Sequence, residues 1–283
     1  GRDLAQGHAG EGRFIFGVLD QGFAAPFTLI VEYRLPASTN DDVIAWAQRW
    51  HALSALPFPS EAYNAALQEI TEAFARRNVM PSGVNGSALS KLRTNENLLF
   101  PTWELREFRL SAASHMFEEI PVERTPDSSF IRESPIVADF VNQNEATILL
   151  QRHLVPLAFE GQAFAGGSSI NDLSGWVSSG IANSEARHAF SLNTCNGCHG
   201  SAETGTGFLH VNPREEGVAA SLSGFLTGIT RPDAVTGAPR TFNDLQRRNQ
   251  DLERIVCADE LPPSAAGAGA SDASVSKGIQ RAH

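Results

Sequence analysis

Cys195, Cys198 and His199 are the residues whose types and spacing carry the most chemistry in this chain. They stand in the run Cys195-Asn196-Gly197-Cys198-His199, a C-x-x-C-H pattern, which reads as a covalent attachment site for a c-type haem. Two thiols held in one helical turn can each add to a vinyl group at the porphyrin edge. The imidazole that follows can then ligate the iron from the proximal side. Asn196 and Gly197 are small enough to leave that edge clear, and glycine lets the backbone pass close to it.

Two rival readings use the same residues. A thioredoxin-like dithiol favours a βαβ context that the sequence lacks, and a zinc site needs four ligands where only His210 or Cys257 could supplement the motif. No second C-x-x-C-H is present, so one covalent haem c is expected rather than a row of them. The methionines, Met80 and Met116, both lie upstream of the motif, which argues against a methionine as sixth ligand. His210, in a Gly-rich stretch beginning at Gly205, is the candidate distal ligand and joins His199 as a metal-binding residue, since bis-imidazole ligation needs only a neutral nitrogen within reach. His188, two turns before Cys195 on the same helical face, is the weaker distal candidate and is expected to pack beside the porphyrin. An open sixth position is the third option. His51, His115 and His153 read as structural or surface residues.

The segment Cys195 to Gly200, preceded by the helix-like run Ser184 to Phe190, resembles the haem-binding segment of c-type cytochromes. The longer pattern Asn193 to Gly200, followed by Glu203-Thr204, Phe208 and His210, is similar to a group of uncharacterised exported bacterial proteins. Arg93-Thr94-Asn95-Glu96 and Trp103 to Phe108 share that likeness. The wider likeness brings no known activity; the cytochrome likeness implies an extracytoplasmic protein, in the periplasm, outer envelope or medium, that passes electrons to a redox partner protein. A haem enzyme of peroxidase or oxygenase type, with an open distal site, is the catalytic alternative. A non-redox envelope interaction protein is the other.

The chain has 283 residues, 42% hydrophobic and 19% charged, which is ordinary for a globular protein with a sizeable core. Its net charge of −10 argues against nucleic acid or an anionic membrane as partner. No apolar run is long enough for a transmembrane helix. Gly1 to His8 contains no apolar signal core, so the export signal is absent from this chain and Gly1 reads as the start of a mature or cut product. Neither a Gly-x-Ser-x-Gly elbow nor a Walker-type phosphate loop occurs, and Ser174, Ser178 and Ser179 carry no signal.

The elements that must position the motif follow from periodicity. Phe14, Phe16 and Val18, then Phe27, Leu29, Val31 and Tyr33 after a break at Asp20-Gln21-Gly22, alternate as two antiparallel strands. Asn40 or Asp41 is expected to cap a helix through Val43, Trp46, Trp50 and Leu53, and Ser60 a second through Tyr63, Leu67, Ile70 and Phe74. Met80 to Ser90 reads as loop and Leu98 to Leu110 as one or two strands. Along this stretch Arg93, Glu96, Glu104, Arg106, Glu107 and Arg109 read as alternating charges on an exposed strand. Pro135 opens a helix capped by Ser134, another runs from Ser184 into Thr194, a short one surrounds Leu222 and Phe225, and a last one carries Phe242, Leu245, Leu252 and Ile255. Cys257 continues that apolar stripe and is expected to be buried. The predicted fold is α+β: residues 1–130 an antiparallel sheet with packed helices, 131–260 a mainly α-helical, cytochrome c-like haem region, and 261–283 a low-complexity tail.

Overall fold

The computed structural model describes residues 3–21, 23–96, 103–170, 175–215 and 217–258; the expected tail, Ser174 and the stretch at Leu98 lie outside these ranges. Strands β1 (His8–Asp20) and β2 (Phe23–Pro36) form a long hairpin that turns at Gln21, as the alternation predicts. Helix α1 (Asn40–Ala52) starts from Thr39, not from Asn40 or Asp41. The Thr39 hydroxyl accepts from the Asp42 amide while the Asp42 carboxylate accepts from that of Thr39, a capping box that satisfies two donors reciprocally. Ser60 caps α2 (Glu61–Ala75) through the Tyr63 amide.

After a Gly-rich loop come β3 (Leu89–Glu96), β4 (Glu104–Leu110) and β5 (Phe117–Ile120). The strands pair antiparallel in the order β1-β2-β3-β4-β5. One face carries Phe14, Tyr33 and Leu35 against Trp46, Leu53, Ile70 and Phe74 of the helical layer, an aromatic core with Phe14 and Phe74 ring centroids 5.6 Å apart. The helices cover only the first half of β1. Beyond Phe14 the predicted alternation continues but the burial does not, leaving Phe16 51% and Val18 38% exposed.

The opposite face corrects the expectation of an exposed charged strand. Arg93 and Glu107 are directly opposed in the β3–β4 register, and both are buried together with Glu32, Lys91 and Glu96. Arg13 pairs with Glu32 at 2.8 Å, Lys91 with Glu107 at 2.9 Å, and Arg93 lies 3.3 Å from Glu32 and 3.6 Å from Glu107. Burial opposes charge on Glu107, but Arg93 and Lys91 outweigh it and hold the carboxyl below its usual range. Ions buried without partners would cost several kcal/mol each, so the charges enter the interior as a cross-strand set.

The chain beyond 130 is not mainly helical. Helices α3 (Pro135–Gln143) and α4 (Glu145–Leu149) are followed by the two-residue strands β6 (Ala158–Phe159), β7 (Gln162–Ala163) and β8 (Ser169–Ile170). Strand β8 pairs with β4 and so extends the first sheet. Then come α5 (Ser184–Asn193), α6 (Cys195–Cys198), α7 (Ser201–Thr204), α8 (Gly224–Thr227), the hairpin β9 (Ile229–Pro232) and β10 (Pro239–Phe242), and α9 (Asp244–Val256). Among these helices α3, α5 and α9 alone exceed five residues, at 9, 10 and 13. Gly and Pro recur too often between residues 205 and 239 for longer helices to propagate. A core of Val137, Phe140, Val141, Ile148, Phe164, Trp176 and Phe190 gathers α3, α4 and α5. Cys257 caps the end of α9 and is exposed, contrary to the stripe that suggested burial: the helix ends at Val256, before its next turn returns to the packed face.

Candidate functional site

Helix α5 begins where the Asn183 side chain accepts the Glu185 and Ala186 amides, and it ends at Thr194, whose backbone is extended. That break starts a new turn, α6, holding both cysteines. The Thr194 hydroxyl accepts from the Gly197 amide at 3.0 Å and donates to the Ser191 carbonyl at 2.7 Å. It also accepts from Trp176 Nε1 at 2.8 Å, and the Asn196 side-chain oxygen accepts from the same indole at 2.9 Å. Asn196 is thus turned inward, toward Trp176. Gly197 is required for packing within the chain, since a Cβ there would collide with the Ser191 carbonyl.

All residues from Ser191 to Gly200 are buried. Cys195 packs against Trp103, Leu105 and Val122, and its amide donates to Thr125 Oγ1 at 3.0 Å, which ties the motif to the chain 70 residues earlier. Cys198 joins a second apolar cluster with Leu192, Phe225, Leu226 and Phe242. Neither thiol is in a disulfide, and burial pushes that of Cys195 up to about 11 despite nearby Arg93.

His199 is 6% exposed, and its Nδ1 is bonded to the Phe208 carbonyl. A carbonyl only accepts, so Nδ1 carries the proton and Nε2 keeps its lone pair, the tautomer that a metal-ligating imidazole needs. Burial lowers the pKa of His199 to about 4, so the ring is neutral. Trp103 stacks on it at 4.9 Å between centroids and 20° between planes.

The structure brings His210 to the motif and points it at the wrong neighbours for immediate ligation. Its Nε2 lies 3.3 Å from Cys198 Sγ, its Nδ1 2.9 Å from Ser223 Oγ, and its centroid 4.5 Å from that of His199 at a tilt of 56°. Two metal–nitrogen bonds of about 2 Å would hold facing nitrogens about 4 Å apart with their ring centres farther out. Distal ligation therefore requires His210 to turn away from both present partners.

His188, on α5, is engaged with an acidic partner and an aromatic ring. Its Nδ1 is bonded to Glu203, and the ring faces Phe242 at 6.1 Å. His188, Glu203 and Asp233 bring ligand atoms within 4.8 Å of one another, the spacing of a metal site. A guanidinium already fills that role: Arg187 donates to both Glu203 oxygens, at 2.8 and 3.0 Å, and to Asp233 at 2.9 Å, while Arg240 donates to Asp233 at 3.0 Å. Burial works against the charge on Glu203, but its bonds to His188 and Arg187 hold its pKa below the usual range. This network pins α5, α7 and the β9–β10 hairpin around the motif. Spacing alone could not reveal it, since its members are spread from 187 to 240.

The residues fit a haem c in their chemistry: two thiols in one turn with no disulfide between them, a neutral imidazole protonated on Nδ1, and apolar clusters on either side. They do not leave a porphyrin-shaped space as they stand, because Trp103 and His210 lie directly against His199. Seating the group requires those two rings to move. No protein-family model matches the chain, and neither a search of curated proteins nor one of solved structures finds a match.

Proposed function

We propose that this protein is an extracytoplasmic monohaem c-type electron carrier, with thioether links from Cys195 and Cys198, Nε2 of His199 as proximal ligand, and His210 as distal ligand once it turns from Cys198 and Ser223. The observation that carries the reading is the Nδ1 bond of His199 to the Phe208 carbonyl within a C-x-x-C-H turn whose two thiols form no disulfide. When bound, the haem supplies reversible one-electron exchange at iron. The chain's own part is to fix one imidazole tautomer, to exclude water with the aromatic clusters around Cys195 and Cys198, and to limit reorganisation by holding His199 at the end of a short, capped turn. A redox partner protein is the implied recipient of the electron.

The closed packing of the motif favours one second reading, a non-redox interaction protein in which the turn stays without cofactor and Trp103, His199 and His210 form a permanent aromatic stack. Expression with haem c maturation machinery separates the two. The carrier reading expects an intact mass raised by one haem and a visible spectrum that survives acid–acetone extraction. Colourless, unmodified protein from a normally exported preparation sinks it.

A further inference from the structure

Away from the motif, the inner face of the sheet opens at the other end into a cleft of about 710 Å³. It is built where β1, β2, β3, β4 and β5 leave the buried ionic network, and its charged lining is Glu11, Arg34, Lys91, Arg109, Glu118 and Glu123. By count these charges cancel, but their commitments are unequal. Glu11 is held by Arg13 at 2.8 Å, Glu118 accepts from the Ser114 hydroxyl at 2.6 Å, and Glu123 is engaged by Lys91, which also reaches Glu107 at 2.9 Å. Among the described residues, the guanidinium groups of Arg34 and Arg109 form no ion pair with any of these carboxylates. His8 lines the same cleft, and its buried Nδ1 has no hydrogen-bond partner.

Arg34 stands on β2 and Arg109 on β4, one strand to either side of β3; Arg109 faces Lys91, which faces Glu32, so Arg34 is two strands across and two residues along, roughly 12 Å away at about 4.8 Å per strand and 3.4 Å per residue. Guanidinium forks recognise carboxylate and phosphate oxygens by paired hydrogen bonds, and two of them lining one cleft, with Lys91 on the strand between, suit a ligand with several such oxygens. We propose that this cleft binds a small anion bearing carboxylate or phosphate oxygens, held between Arg34 and Arg109 with His8 as a hydrogen-bonding partner. The assignment is independent of any haem, because every residue in it lies on the sheet and its flanking loops.

The test is calorimetric titration of the full chain, at low ionic strength, with succinate and separately with inorganic phosphate. One saturable site is expected for at least one of the two, weakening as salt is raised. Arg109→Gln, at an exposed position, should weaken binding about tenfold, the fold-change of one lost charge-assisted hydrogen bond. Arg34→Gln should do the same, and Glu118→Gln, which removes a rim carboxylate, should tighten binding. Absence of binding for both anions at millimolar concentration overturns the proposal. So does binding that Arg109→Gln leaves unchanged.

Discussion

The sulfur of Cys198 lies 3.3 Å from Nε2 of His210, so the imidazole proposed as distal ligand is a neighbour of the thiol proposed to form the second thioether. Converting that thiol to a thioether removes its proton and releases the contact. In protein carrying haem, ferric iron is therefore expected to be low-spin, and His210→Ala to produce a high-spin component and rapid carbon monoxide binding to the ferrous form. An absorption spectrum of the two proteins checks it, and a wild type already high-spin would move the assignment to an open-site enzyme.

Thr194 joins the break between α5 and α6 to Trp176. Thr194→Val removes a cap worth about 1 kcal/mol and weakens the satisfaction of a buried indole, for a total loss of about 2–4 kcal/mol in denaturant unfolding. Thr194→Ser keeps the hydroxyl and should recover most of that.

Glu203→Gln keeps the shape of the side chain but deprives Arg187 of one of its two buried carboxylates. Breaking a buried pair from one side costs about 3–5 kcal/mol, and retention of Asp233 places the expectation near the lower figure. Adding Arg187→Met should restore part of the loss, because the uncompensated cation is then gone.

His153 is 2% exposed, both of its ring nitrogens lack hydrogen-bond partners, and burial lowers its pKa to about 4. Its folded-state pKa lies below the unfolded value near 6.5, so the unfolded chain binds more protons between these limits. The folded state's preference for the neutral ring is therefore fully expressed above about pH 6.5 and is lost as pH falls toward 4, a change of roughly 3 kcal/mol for this one group. His153→Leu should flatten the decline in stability across that window, measured by denaturation at a series of pH values.

Much of the first sheet was legible because its outer face obeys simple alternation: Phe14, Tyr33, Phe74 and Trp46 meet as their spacing predicts. Strand β3 was not, since its inward positions are Lys91, Arg93 and Asn95, and a strand that buries charge shows no hydrophobic period. The helical expectation for the second half failed on the many breaks after Gly205. At the motif, the turn itself and the role of Ser184 to Asn193 as the helix leading into it were readable from sequence. The stack of Trp103 on His199 was not, because the two come from segments that only the sheet brings together. Gly197 was rightly marked as special, though the atom it makes room for is the Ser191 carbonyl.

Cys257 is exposed while Cys195 and Cys198 are 1% and 0% exposed. In unmodified native protein, a thiol reagent should label Cys257 at once and the other two only slowly, read by mass spectrometry of the peptides.

The amide of Cys195 bonds to Thr125, 70 residues back, so the motif is sealed only when distant parts of the chain have met. Contacts of such long sequence separation form late, after a large loop has closed. Any covalent change at the two cysteines therefore has a window in time: it is fast on the still unfolded chain, and afterwards limited by the rate at which the closed state reopens. The labelling rate of Cys195 in native protein measures that opening equilibrium directly. Under the proposed haem attachment, biogenesis would be a race between that chemistry and the chain's own folding.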